Sequence, residues 1–146
     1  VKIYVASSWR NVMQPAVVEQ LRRLGHDVYD FRNPKPGNEG FSWKQVGAVD
    51  YTHGAKVNAE NYRAMVDHPV AQDGYAADIG ALRDCDACVY VLPCGRSASW
   101  EFGYAMGEHK PCFVLWVGDH EPELMFREAT ICASLDELCI AFEGGK

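Results

Sequence analysis

The chain has 146 residues, 48% hydrophobic and 23% charged, a composition that suits a single globular domain over residues 1–146 and excludes a disordered chain. Fourteen basic against twenty acidic residues leave a net charge of −6, which argues against binding a nucleic-acid polymer or a membrane surface but leaves room for a small anion held by one arginine. No stretch is long and apolar enough to span a bilayer as a helix, and VKIYVASSW reads as a first strand and not as a secretion signal, so a cytoplasmic location is expected.

In chain order, KIYVAS is a short apolar run fit for a buried strand. NVMQPAVVEQLRRLG follows as a helix, with Val17, Leu21 and Leu24 at helical spacing and Gly25 placed to end it. HDVYDF reads as a second strand. Residues 32–48, RNPKPGNEGFSWKQVGA, are rich in Pro, Gly and Asn and form a long loop that carries Phe41 and Trp43. Residues 55–66 have helical tendency, Pro69 interrupts them, and AQDGYAADIGALRDC resumes as a helix with Tyr75, Ile79 and Leu82 on one face. ACVYVLPC is a buried strand, SASWEFGYAMGEHK a helix, and PCFVLWVG another strand. EPELMFREAT reads as a short helix, ICA as a short strand and SLDELCIAFEGG as a terminal helix. This alternation predicts an α/β fold with a parallel sheet covered on both faces.

Ligands of such sheets sit beyond the carboxyl ends of the strands. That rule selects ASSWR, DFRNP, LPCGRSAS and WVGDHEPE. In the third segment, Gly95, Arg96, Ser97 and Ser99 combine free backbone N–H groups, hydroxyls and a guanidinium, the ingredients of an anion cradle. Glu101 follows. An acid near a helix start can simply oppose the dipole. A capping box, however, needs Ser or Thr three residues ahead of the glutamate, and Ala98 stands there. With Ser97 as the cap, Glu101 falls one position past the box. Trp100 and Phe102 flank it and would raise its pKa by desolvation. Both the structural and the reactive reading of Glu101 stay open on these grounds.

Asp78 lies on the helix before the third strand, close to its apolar face. Tyr4 sits within the first strand, and Ser7, Ser8 and Trp9 stand at its end. Trp43 and Phe41 either stack on a flat ligand or anchor their loop. The six cysteines include a C-x-x-C pair, Cys85 and Cys88, with Cys94 and Cys112 later. Cysteines at strand starts pack as small hydrophobes, so neither a metal site nor a disulfide framework is expected. The five histidines lack metal spacing. There is no G-x-S-x-G, no Walker lysine motif and no G-x-G-x-x-G.

KIYVASSWR, DFRNP, AADIGALRDCDACVYVLPCGRSASWEFGYAMGEHKP and EPELMF together resemble the nucleoside 2-deoxyribosyltransferase superfamily. The superfamily includes 2'-deoxynucleoside 5'-monophosphate N-hydrolases and cytidylate N-glycosidases. The resemblance covers most of the chain. It implies a single flavodoxin-like, Rossmann-like domain with a five-stranded parallel sheet, and cleavage of an N-glycosidic bond without metal or organic cofactor. By the same resemblance Glu101 is the nucleophile, Asp78 holds or protonates the base, and Tyr4 contacts the nucleophile. Arg96, Ser97 and Ser99 lie where the hydrolases hold the 5'-phosphate, and Trp43 lies in the segment that closes over the base; Ser7 and Gly95 are further candidate substrate-binding residues. It also implies a homo-oligomer, a dimer or higher, with Glu123 and Met125 as contributions from a neighbouring subunit. The turn Cys94-Gly95-Arg96-Ser97 departs from the transferase pattern, in which acidic residues meet an unphosphorylated sugar. A cation there favours a nucleoside 5'-monophosphate and hydrolysis; the alternatives are base transfer and a non-catalytic nucleotide sensor.

Overall fold

The computed structural model describes residues 1–47 and 56–144. They fall into two compact units, Val1–Asp30 with Ala81–Lys146, and Phe31–Gly80.

The first unit holds the sheet. Its strands are β1 (Lys2–Ala6), β2 (Asp27–Tyr29), β3 (Ala87–Val91), β4 (Cys112–Leu115) and β5 (Thr130–Cys132). They run in the order β2-β1-β3-β4-β5, and every pairing is parallel. The five segments read as strands in the sequence thus form the five strands of the sheet. Both faces of a parallel sheet need cover, and β3 is accordingly buried at every position. On one face Ile3, Val5, Val89, Val91 and Leu115 pack with Val17 and Leu21 of α1 (Gln14–Arg23) and Leu138 and Phe142 of α5 (Leu135–Glu143). Alternation along the strands turns Tyr4, Cys88 and Tyr90 to the other face. There α4 (Arg96–Gly107) packs on β3, β1 and β4, burying Ala98, Phe102 and Ala105. Gly25 ends α1 in the left-handed region, at φ +87°, as its place after the apolar periodicity predicts. The EPELMFREAT helix is a 3₁₀ segment, Leu124–Glu128.

The second unit carries the long loop and two helices, α2 (Ala59–Val66) and most of α3 (Pro69–Asp84). Pro69 does not merely interrupt: it opens α3, where its missing N–H costs nothing. Of the anticipated helical stretch from residue 55, that residue lies outside the described residues, and α2 begins after the Asn58 cap, whose side chain accepts from Asn61 N at 2.8 Å. The expectation that Tyr75 shares a buried face with Ile79 and Leu82 is corrected. Ile79 and Leu82 are buried, whereas Tyr75 is 60% exposed. At that level the helix is covered by Phe41, whose ring lies against Gly74, one step round the helix from Tyr75. Among the described residues no helix is long and apolar enough to cross a membrane.

Candidate active site

The sheet order reverses direction between β1 and β3. Their carboxyl ends therefore bound the crevice in which doubly wound folds take ligands. The segment after β1 is a tight turn, closed by Asn11 N donating to Ser8 O at 3.0 Å. The segment after β3 leads through Leu92–Cys94 into α4. Two side chains join them: Ser7 Oγ donates to Val91 O at 2.9 Å, and Asn11 Nδ2 donates to Val91 O and Pro93 O, each at 3.0 Å. Asn11 Oδ1 accepts from Met13 N at 2.8 Å, just ahead of α1.

The N-cap of α4 is Gly95, not Ser97, and no side chain caps the helix. The N–H groups of its first turn are therefore without a side-chain acceptor, and Arg96 and Ser97 beside them are exposed. The Arg96 side chain makes no hydrogen bond or ion pair among the described residues. Ser99 is placed differently from its two neighbours. Its hydroxyl donates to Gly95 O at 3.1 Å and lies 2.6 Å from Tyr90 Oη. With the serine proton on Gly95, the phenol donates to the serine.

Glu101 is the sixth residue of α4, in its second turn, and the first turn contains no acid. The dipole-compensating reading of Glu101 therefore loses its geometry, because that effect is confined to the first turn. The residue is half-buried. It stands three residues after Ala98 and four before Ala105, which α4 buries against the sheet, so it lies on the flank of that buried face, toward β3. Cys88 is the register partner of Tyr4, so Tyr4 and Glu101 belong to the same side of the sheet. Tyr4 is fully buried and stacks on Tyr29, with ring centroids 5.3 Å apart. The expectation that Trp100 and Phe102 sandwich the carboxylate is corrected, since successive side chains on a helix point about 100° apart. Trp100 is 55% exposed and stacks on Tyr104, while Phe102 is buried against Tyr90.

Tyr90 and Asn11 are features that pattern reading misses. Tyr90 looks like any strand aromatic, yet burial, with the Cys94 contact adding to it, pushes its phenol up to about 12. It therefore stays a proton donor throughout the neutral range. Burial likewise pushes the Cys94 thiol up to about 11. Asn11 signals itself only as an Asn two residues before the backbone N–H it accepts from. Gln14 and Asp30 form another buried polar pair, with Gln14 Nε2 donating to Asp30 Oδ1 at 2.8 Å.

Tyr4, Ser7, Gly95, Arg96, Ser97, Ser99 and Glu101 all lie in the sheet unit; Trp43 and Asp78 lie in the other. Asp78 is half-buried on α3. Trp43 opens a short 3₁₀ helix capped by Ser42 and Gln45, and packs edge-on against Phe41 at 4.9 Å and beside Tyr62 at 6.0 Å. Glu123 caps the 3₁₀ segment before β5, and Leu124 and Met125 stand out from it, 82% and 67% exposed. The C-x-x-C pair is buried. Cys85 Sγ donates to Leu82 O, and burial raises both thiols. Among the described residues no three His, Cys, Asp or Glu side chains converge as a metal set.

No protein-family model matches the chain, and no curated protein matches it. Solved structures do. One is a 2-deoxyribosyltransferase from the psychrotolerant bacterium Bacillus psychrosaccharolyticus, described as a biocatalyst for the synthesis of antiviral and antitumoral nucleosides. It is 18% identical, with a TM-score of 0.55 over 94% of this chain and 90% of that one. Another is a conserved protein from Enterococcus faecalis V583, 14% identical, with a TM-score of 0.57 over all of this chain and 99% of that one. The five-stranded parallel architecture is thus a fold that this chain shares with a 2-deoxyribosyltransferase.

Proposed function

We propose that the protein cleaves the N-glycosidic bond of a nucleoside 5'-monophosphate by way of a covalent glycosyl-glutamate. One observation carries the reading. Glu101 sits in the second turn of α4, on the flank of its buried face toward the switch-point strand, one turn beyond an uncapped helix start that displays Arg96. An anionic group on one end of a ligand is drawn to that helix start. A carboxylate one turn farther along is about 5 Å deeper, a distance suited to the sugar that follows a phosphate.

In the proposed reaction a Glu101 oxygen bonds to C1' as the C1'–N bond breaks, through an oxocarbenium-like transition state. The electron pair leaves with the base, which takes up a proton. Water then attacks C1', displaces Glu101 and yields the free sugar phosphate. Tyr4 orients the carboxylate. For Asp78 and Trp43 the proposal keeps the roles that the resemblance implies, proton delivery to the base and stacking on it. Arg96, Ser97 and Gly95 take the phosphate; Ser7 and Ser99, whose protons are committed to Val91 O and Gly95 O, can meet a ligand as acceptors. A homo-oligomer and a cytoplasmic setting complete the reading. The fold shared with a 2-deoxyribosyltransferase favours a second outcome for the same intermediate, in which another base replaces water.

The test is a panel of ribo- and deoxynucleosides and their 5'-monophosphates, with and without an acceptor base, followed by chromatography. Free base and sugar phosphate are expected from monophosphates, and Glu101→Ala is expected to abolish their release in a folded protein. Undiminished turnover by Glu101→Ala would sink the mechanism. Arg96→Ala should weaken monophosphates far more than nucleosides; equal loss removes the phosphate assignment. Product containing the acceptor base decides for transfer. Binding without turnover, unaffected in Glu101→Ala, marks a sensor.

A further inference from the structure

The proposed reaction needs the segment after β1 and the turn after β3 to keep a fixed spacing, because both border the place of the ligand. We infer that Asn11 is the positioning residue that sets this spacing, an inference that rests on the proposed function above. Asn11 is 4% exposed. Its amide nitrogen spends both hydrogens across the crevice, on Val91 O and Pro93 O, at 3.0 Å each. Its amide oxygen accepts from Met13 N, and its own backbone N–H closes the turn on Ser8 O. Arg10 N adds a bond to Ser8 Oγ at 3.2 Å, so the platform that presents the amide is itself braced.

The carbonyls it holds occupy a critical stretch. Val91 ends β3, and Pro93 is two residues ahead of Gly95, the N-cap of α4. Val91 O also accepts Ser7 Oγ, so a single carbonyl is gripped from two points of the β1 segment. The Leu92–Gly95 turn aims the first-turn N–H groups of α4. Asn11 acts through the turn, by way of the two carbonyls it holds. Its loss moves the anion-binding end of the site against Ser7, and shifts of about 1 Å away from the reacting atoms lower rates by about a hundredfold.

Asn11→Asp is the informative variant. It keeps the shape and the acceptor for Met13 N, but turns an oxygen toward two carbonyl oxygens. Asn11→Ala removes every side-chain bond, and Asn11→Ser, which retains a short donor, serves if the Asp variant does not fold. Two readouts are taken on the full chain. Amide hydrogen exchange should quicken at Leu92 and Ser99, whose N–H groups bond Leu115 O and Gly95 O on either side of the turn, while 135–143 in α5 keep wild-type protection. The ratio of kcat/KM for 2'-deoxynucleoside 5'-monophosphates to kcat/KM for the matching nucleosides should fall about tenfold or more, since the phosphate end loses its alignment first. A merely structural role would lower Tm without changing this ratio in the folded protein. Unchanged exchange at Leu92 and Ser99, or an unchanged ratio, overturns the inference. A wild-type protein that cleaves no member of the panel instead sinks the proposed function, and the exchange readout then decides by itself whether Asn11 holds the turn.

Discussion

Lys110 offers a test of how the sheet unit is held together. It follows α4, and its backbone N–H returns to Ala105 O. Its ammonium donates to three carbonyls at the end of α3 and just beyond: Leu82 O at 2.9 Å, Arg83 O at 2.8 Å and Cys85 O at 2.8 Å. An ammonium has three hydrogens, and here each has an acceptor. Lys110→Met keeps the stem and removes the donors. The bond to Arg83 O is exposed, and water will replace it at little cost. Those to Leu82 O and Cys85 O are part-buried, and their loss costs about 1–1.5 kcal/mol each, with a few tenths more for the lost cation at a helix C-terminus. About 2–3 kcal/mol follows, which for a chain of this length lowers Tm by about 6–10 °C. Lys110→Arg supplies the same charge on a planar fork that cannot converge on three acceptors, and should recover less than half of the loss. Thermal unfolding by circular dichroism measures both. A loss below about 0.5 kcal/mol in the Met variant, or full recovery by arginine, would refute the three-point argument and leave only a helix-end charge effect.

Alkaline pH should destabilise the fold. Burial raises Tyr90 from 10.0 to about 12, and Cys94 and Cys112 from 9.0 to about 11. The unfolded chain therefore ionises first, so the stabilisation from these protonated groups is complete below pH 9 and is lost as pH rises through 9–12. The drop in Tm between pH 8.5 and 11 should be shallower in Tyr90→Phe/Cys94→Ala/Cys112→Ala than in wild type, and equal slopes would contradict this. Gly74→Ala brings a Cβ to 2.8 Å from Phe41 Cβ and 2.9 Å from its Cγ, so it should destabilise by about 1–2 kcal/mol despite alanine's better helix propensity. In a Phe41→Ala background the same change should stabilise; the absence of that sign reversal in denaturant titrations would show that the contact is not what makes glycine necessary.

How much of this was readable from the sequence depends on the range of the interaction. The three inner strands, β1, β3 and β4, are apolar runs whose character comes from burial on both faces, and a run of apolar residues shows that without knowledge of its neighbours. Gly25 is legible for the same reason, because its left-handed φ is a local demand. Glu101 was half legible. The missed capping register separates it from a cap, but the N-cap proved to be Gly95, and a glycine cap leaves no side-chain signature. Trp100 and Phe102 misled because adjacency in a helix is not adjacency in space: one faces solvent, the other Tyr90. Tyr75 misled because burial along α3 depends on Phe41, more than thirty residues earlier in a loop without periodicity.

The features that bear most on the candidate site lie at the illegible end of that scale, and the reason is chemical. Ser7, Asn11 and Ser99 all spend their donors on backbone carbonyls: Val91, Pro93 and Gly95. A carbonyl is present at every residue, so no pattern of side chains marks the one that will be gripped. Only the parallel pairing of β1 with β3 brings residues some eighty positions apart within 3 Å. The outcome is a division of labour that residue types alone did not separate. Of the polar groups around the crevice, Asn11, Ser99 and Tyr90 are tied into the chain. Arg96, Ser97 and the uncapped first turn of α4 remain open toward solvent. In the proposed function, a ligand with an anionic end would meet the second set, and the first set would keep that set in place.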